Sequence, residues 1–350
     1  MSGSACYSTR LMAHNNLGEA KMIDEIPMIT CPFCLKLHPA SDSECPTTHA
    51  HIPRSYVRAM QERKCMASML TIGYSGHGKT CYLASLLHSL YYGDPSRAWP
   101  GFSFIGLNQS TLDRVHDSYV SVLNQGVLPE RTSEFVPDSL ILQMSQVPIA
   151  RKLGPLVIGH APGELVLNLY DIGGEVYTME QSISERISII AELPNLVFLV
   201  DLLQIRREAE ISGRGAVQQL HGLLNTVLNA LDELGQVGRK GIIVCFTKAD
   251  QLWGDPDFGP LAEQSKDHLP AAGEMKQYMA HLRTRSDLIG TWVQLSYPAF
   301  YNALVQYFKP VAFTTVSALG VEPEDQTVAV VRPSGIIDPL LWTLKMEGYM

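Results

Sequence analysis

An apolar run at residues 66–73 leads into Gly73-Tyr74-Ser75-Gly76-His77-Gly78-Lys79-Thr80, and an amphipathic run follows. This G-x-x-x-x-G-K-T pattern in strand-to-helix context constrains the fold more than any other feature of the 350 residues. Glycines at 73, 76 and 78 permit a turn tight enough to aim successive N–H groups, and the helix N-terminus behind them, at phosphate oxygens. Lys79 then reaches the terminal phosphates, the Thr80 hydroxyl offers a Mg²⁺ ligand, and Ser75, His77 and Cys81 complete the turn. An incidental glycine-rich turn would need neither the Lys-Thr pair nor both flanks. By itself the loop does not choose between ATP and GTP.

The flanks predict an alternating α/β chain. Candidate strands lie at 66–73, 139–144, 165–171, 195–201, 241–246 and 311–317, several of them near-continuous apolar runs suited to a parallel sheet covered on both faces. Between them, Leu83, Leu86, Leu87 and Leu90 share a helical face closed by Gly93, and Val217, Leu220, Leu224, Leu228 and Leu231 form a second stripe before Gly235. Asp338 and Pro339 suit the start of a helix over 340–346. Residues 251–309 read as a helical insert. There Met275, Tyr278, Met279 and Leu282, with Trp292, Tyr297, Phe300 and Tyr301, fit a core better than a cofactor box. A second excess of chain spans 96–163.

Composition narrows the partners. Lys and Arg total 27 against 35 Asp and Glu, a net charge of −8, so no global positive field gathers nucleic acid. The most apolar stretch, 188–205, is interrupted by Glu192 and Pro194 and reads as a buried strand, not a membrane insertion. Residues 1–26 form a polar tail without a secretory core, and the last residues lack a prenylation cysteine. Seven cysteines in a chain without an export signal point to a reducing, cytoplasmic setting, with Cys65, Cys81 and Cys245 reading as small core residues.

Three later elements bear on the ligand. Asp171-Ile172-Gly173-Gly174-Glu175 ends a candidate strand, placing an acid that can hold Mg²⁺ through water and a Gly174 N–H that can meet a γ-phosphate. Thr247-Lys248-Ala249-Asp250 ends another, and a carboxylate at 250 can accept two hydrogen bonds from the guanine N1–H and amine, a donor pair that adenine lacks. Ser317-Ala318-Leu319 ends the last, with a backbone N–H for guanine O6. Taken singly, the first is often a plain turn and the second a solvated strand end with a helix-capping Asp.

Together, in this order and each just after a predicted strand, the four elements resemble the Ras-like small GTPase branch of the P-loop superfamily over about residues 64–350. The resemblance implies an α/β, doubly wound, mostly parallel sheet of the P-loop GTPase fold, with GTP or GDP and Mg²⁺ at the strand C-terminal edge and hydrolysis of GTP to GDP. Glu175 stands where many relatives carry a water-positioning Gln, which leaves open a nucleotide-gated scaffold with little hydrolysis. A P-loop kinase or ATPase would share the 73–80 loop but has no use for T-K-A-D and S-A-L. Within Pro129-Glu130-Arg131-Thr132, Thr132 is the candidate switch threonine on Mg²⁺, better placed than Thr111 or Thr178. Arg131 beside it is a candidate arginine finger, or simply a solvated loop residue.

A second constellation comprises Cys31-Pro32-Phe33-Cys34, His38, Cys45, His49 and His51. C-x-x-C sets two thiolates on one tight knuckle, and tetrahedral Zn²⁺ needs two more ligands. Cys31, Cys34, Cys45 and His49 form the expected set, with His38 or His51 as substitutes for the imidazole. A redox pair or surplus thiols is the plain alternative. The expected organisation is thus a tail at 1–26, a zinc-ribbon-like module at 27–60, and a GTPase domain at 61–350. With D-I-G-G-E and the run from Asp338 to Trp342, this module resembles bacterial double-GTPase type proteins, implying a bacterial switch acting on effector or regulator proteins.

Overall fold

The computed structural model describes residues 27–62, 64–130, 138–153, 156–171, 190–212, 216–266, 269–324 and 327–350. Its strands are β1 (Met28–Thr30), β2 (Leu37–Pro39), β3 (Cys65–Ile72), β4 (Ser103–Gly106), β5 (Asp138–Leu153), β6 (Leu156–Asp171), β7 (Asn195–Val200), β8 (Gly241–Phe246) and β9 (Val311–Thr315). Its α-helices are α1 (Arg54–Gln61), α2 (Lys79–Tyr91), α3 (Gln109–Asp113), α4 (Ser121–Asn124), α5 (Leu202–Ser212), α6 (Ala216–Glu233), α7 (Ala249–Leu252), α8 (Gly259–Ala262), α9 (Met275–Ser296), α10 (Pro298–Tyr307) and α11 (Asp338–Met346). A π-helical stretch, Arg114–Val120, joins α3 to α4.

Among the described residues, β1 and β2 form an antiparallel hairpin and the rest form one sheet in the order β4-β5-β6-β3-β7-β8-β9. The five strands from β6 to β9 run parallel, and β5 alone is reversed, antiparallel to both β6 and β4. This doubly wound, mostly parallel α/β architecture fits the P-loop GTPase fold expected from the sequence. Every position of β7 and β8 is buried, as their unbroken apolar runs require. Alternate residues feed opposite cores. Val197, Leu199, Ile243 and Cys245 meet Leu83, Leu86, Leu87 and Leu90 of α2 and Leu340, Leu341 and Leu344 of α11 on one face. Phe198, Val200, Val244 and Phe246 meet Leu220, Leu224 and Leu231 of α6 and Phe300 and Leu304 of α10 on the other.

Helix α9 carries Tyr278 and Leu282 into the first core and Ile289 and Val293 into the second, so it crosses the β9 edge and shields it. Tyr278 Oη and Arg285 Nη2 each lie 2.7 Å from a carboxylate oxygen of Asp338, tying the 251–309 segment to α11 through a buried polar cluster. The Met and aromatic stripe is core.

The strands differ from the sequence expectation at the sheet's other side. β5 and β6 are 16 residues each, far longer than the runs 139–144 and 165–171. Those runs mark only the halves inside the sheet, where apolar faces are required. Beyond them the two arms pair with each other, with Pro148 opposite Pro162, so the breaker residues that hid these arms sit in a two-strand ladder. β4, also unforeseen, caps this edge.

Candidate functional site

The loop after β3 folds as its glycines demand. Gly76 and Gly78 sit at φ +85° and +79°, and a Cβ at Gly73 would lie 2.8 Å from the Leu199 carbonyl oxygen. Lys79 opens α2 with its Nζ donating to the carbonyls of Gly73 and Tyr74 at 2.8 and 2.9 Å. It is only 6% exposed, and that burial pushes its ammonium down to about 8, with the Asp171 carboxylate opposing. His77 is buried, its Nδ1–H donating to the Leu199 carbonyl at 3.0 Å, which anchors the loop. Ser75 and Gly76 are exposed, and the Gln204 amide donates to the Ser75 carbonyl at 3.2 Å. Thr80 and Cys81 follow, half-buried, on the first turn of α2.

The strand ends beside it are wired to this loop. The Thr247 hydroxyl donates to the His77 carbonyl at 3.0 Å, and its N–H donates to the Val200 carbonyl at 2.9 Å. Lys248 takes a left-handed backbone at φ +55° and its Nζ reaches Asp201 at 2.5 Å. Asp250 accepts a hydrogen bond from the Ser317 hydroxyl, whose oxygen also accepts the Gly320 N–H at 2.9 Å. The Ser85 hydroxyl of α2 donates to the Ala318 carbonyl at 2.6 Å, and Ala318 and Leu319 pack on the first core. The 73–80 loop, the 247–250 turn and the 317–320 turn therefore form one hydrogen-bonded frame at the C-terminal edge of the parallel strands.

Asp171 ends β6 opposite Thr71 of β3, 4% exposed and close enough to Lys79 to act on its charge. Gly174, Glu175, Arg131, Thr132 and Thr178 lie outside the described residues. Thr111 is buried, its hydroxyl accepting the Ile141 N–H at 3.2 Å, a structural role. Sequence reasoning missed Asp201 and Gln204. The signal was present, since Asp201 follows an apolar strand just as Asp171 ends one.

The cysteine cluster is rebuilt with one change of ligand. Cys31 Sγ, Cys34 Sγ, Cys45 Sγ and a ring nitrogen of His38 all lie within 4.8 Å of one another, and all four residues are buried. His49 is not in the set: its side chain is exposed and pairs with Glu44 at 3.3 Å. The reason is a repeated turn. Cys31 N–H donates to the Lys36 carbonyl and Leu35 N–H to the Cys31 carbonyl, with Leu35 at φ +58°. Cys45 N–H likewise donates to the Ala50 carbonyl and His49 N–H to the Cys45 carbonyl, with His49 at φ +56°. His49 thus occupies the left-handed hinge matching Leu35, and Thr48, not His49, matches Cys34. The fourth donor comes from β2 instead, where His38 Nε2 lies 3.0 Å from Cys34 Sγ.

Burial pushes the Cys31 thiol up to about 12 and raises that of Cys34. In Cys45 burial is outweighed by hydrogen bonds from Thr48 and Thr47, which bring it down to about 6. Three thiols and an imidazole with no carboxylate suit Zn²⁺ and exclude the hard cations.

No protein-family model and no curated protein matches the chain. Solved structures do. It is similar to the signal recognition particle receptor SRb-GTP/SRX complex from Chaetomium thermophilum, at 13% identity, 74% of this chain, 94% of that one and a TM-score of 0.35. It is similar to the GTP-bound S. cerevisiae Ski7 GTPase-like domain at 14% identity, 84% and 53% coverage and a TM-score of 0.36. A bacterial selenocysteine-specific elongation factor, EF-Sec, follows at 14% identity, 80% and 28% coverage and a TM-score of 0.31. The chain thus spans about half of the second chain and little over a quarter of the third. Among the described residues no helix is long and apolar enough to cross a membrane.

Proposed function

We propose that this chain is a guanine-nucleotide switch that binds Mg·GTP and hydrolyses it to GDP. The observation that carries the reading is the frame joining Asp250, aligned by Ser317, to the 73–80 loop through Thr247–His77 and Ser85–Ala318. Asp250 selects guanine, since adenine would leave its carboxylate facing no donor. The 318–319 N–H groups meet O6, and Lys248 borders the base with Asp201 behind it. Lys79 transfers its donors from the Gly73 and Tyr74 carbonyls to phosphate oxygens, while the N–H groups of residues 75–81 cradle the phosphates. Mg²⁺ would supply positive charge there to offset that of the phosphates. Thr80, Asp171 through water, and Thr132 are its proposed holders.

Gly174 senses the γ-phosphate, Glu175 orients the attacking water, and Arg131 offsets the charge that develops on the transferred γ-phosphoryl group as GDP leaves. Glu175 also favours a second reading, a scaffold ordered by nucleotide with little turnover. Zn²⁺ held by Cys31, Cys34, His38 and Cys45 closes a zinc-ribbon-like module at 27–60, as in the bacterial double-GTPase type, and effector or regulator proteins in the cytoplasm are the proposed partners.

The test is binding of GTP, GDP and ATP with Mg²⁺, followed by phosphate release. Preference for ATP overturns both readings; tight GTP binding without release selects the scaffold. Asp250→Asn is expected to shift preference from guanine to xanthine nucleotides, whose altered edge suits an amide.

A further inference from the structure

The zinc knuckle and the proposed phosphate sensor are joined by one buried hydrogen bond. Tyr170, the residue before Asp171, is fully buried in the second core, and its hydroxyl donates to the Pro32 carbonyl at 2.7 Å. Pro32 lies between the proposed ligands Cys31 and Cys34, inside the turn that the Cys31 N–H to Lys36 and Leu35 N–H to Cys31 hydrogen bonds close. Leu35, the hinge of the same turn, packs in that core with Tyr170. Cys31, Cys34 and Cys45 in turn pack with Ile141 of β5 and Val166 of β6. The knuckle is therefore seated on the strand pair that ends at Asp171, with Tyr170 as the polar link.

We infer that Tyr170 is a positioning residue through which metal occupancy of the Cys31, Cys34, His38 and Cys45 set tunes Mg·GTP binding. This rests on the nucleotide and zinc readings above. With metal bound, the knuckle turn is closed and the Pro32 carbonyl meets the Tyr170 hydroxyl. With metal removed, four buried donor groups lose their shared partner, only the turn's two backbone hydrogen bonds still hold it, and the Pro32 carbonyl is freer to leave the Tyr170 hydroxyl. The strand end must then shift to satisfy it, and Asp171 shifts with it. GTP depends on Asp171 more than GDP does, so the two nucleotides respond unequally.

The experiment uses the full chain, zinc-loaded or stripped by a chelator and reloaded with zinc. Affinities for a non-hydrolysable GTP analogue and for GDP are measured with Mg²⁺ by fluorescence titration. Stripping zinc is expected to lower the GTP-analogue over GDP preference about tenfold, within the usual range of coupling between sites, and reloading to restore it. Zinc-loaded Tyr170→Phe, which keeps the ring and loses the hydroxyl, is expected to retain zinc and show the lowered preference. If the stripped chain unfolds, that comparison of loaded proteins decides. A merely structural tyrosine would change stability and leave the preference alone. Zinc and nucleotide both bound, with an unchanged preference in loaded Tyr170→Phe, overturns this inference alone; absence of bound zinc or of guanine-nucleotide binding in the wild type overturns the parent reading and this one with it.

Discussion

Protonation of Lys79 should make nucleotide binding pH-dependent in a defined direction. In the free protein its ammonium is buried against two carbonyls at 2.8 and 2.9 Å, and desolvation brings it down to about 8 despite Asp171. A bound polyphosphate restores the charge, returning the group to the ordinary lysine range of about 10.4. A group with a lower pKa free than bound takes up a proton on binding, so affinity is full below about pH 8 and is lost as pH rises through that value. Between about pH 7 and pH 9 the loss is about tenfold, and at about pH 8 roughly half a proton enters per nucleotide. Titration calorimetry of GDP in two buffers of different ionisation enthalpy counts that proton directly. Zero uptake in the wild type, or equal uptake in Lys79→Met, would refute the reasoning. The same depression acts on folding: the unfolded lysine holds its proton up to about 10.4, so stability of the nucleotide-free protein rises from about pH 8 toward that value.

Other perturbations separate site from scaffold. His38→Ala is expected to strip or greatly weaken zinc while His49→Ala leaves the stoichiometry unchanged, read by chelator-dye release; the reverse result returns the fourth ligand to His49. Arg285→Met removes the guanidinium that pairs with buried Asp338, and denaturant unfolding should show a loss of about 3–5 kcal/mol. Gly320→Ala puts a Cβ 2.2 Å from the Arg332 carbonyl oxygen at φ +79°, a strain of about 1–3 kcal/mol that must displace the turn carrying Ser317, so guanine affinity should fall with stability.

What could be read from sequence follows from how each feature is encoded. The central strands were legible because burial on both faces writes an unbroken apolar run, and β8 falls where 241–246 placed it. The helix stripes of α2 and α6 were legible through their 3.6-residue period, and α11 through its Asp338-Pro339 start. The outer arms of β5 and β6 were not, because a ladder that extends past the sheet is held by backbone bonds and tolerates Pro148, Gly159 and Pro162. The fourth cysteine-cluster ligand, for which His38 stood only as a substitute, was ranked wrongly for a different cause. Spacing after Cys45 pointed to His49, but a left-handed hinge turns that residue outward, and His38 arrives through the pairing of β1 with β2. The bonds that join the loops, Thr247 to His77 and Tyr170 to Pro32, span 170 and 138 residues, beyond any local pattern.

The two sides of the proposed site differ in what ligand binding asks of them. On the base side, Asp250 already accepts from Ser317, Ser317 from Gly320, and the 247–250 turn is fastened to its neighbours, so guanine adds donors to a carboxylate that need not move. On the phosphate side, Lys79 satisfies the loop's own carbonyls and must release them before it can serve a phosphate. Preorganisation favours tight, selective base recognition, because little ordering cost remains to be met on binding. Exchange of one set of Lys79 partners for another supplies two local arrangements of the phosphate loop. In this reading discrimination between bases belongs to the rigid frame, while discrimination between phosphate states belongs to Lys79, Asp171 and the segments that adjoin them.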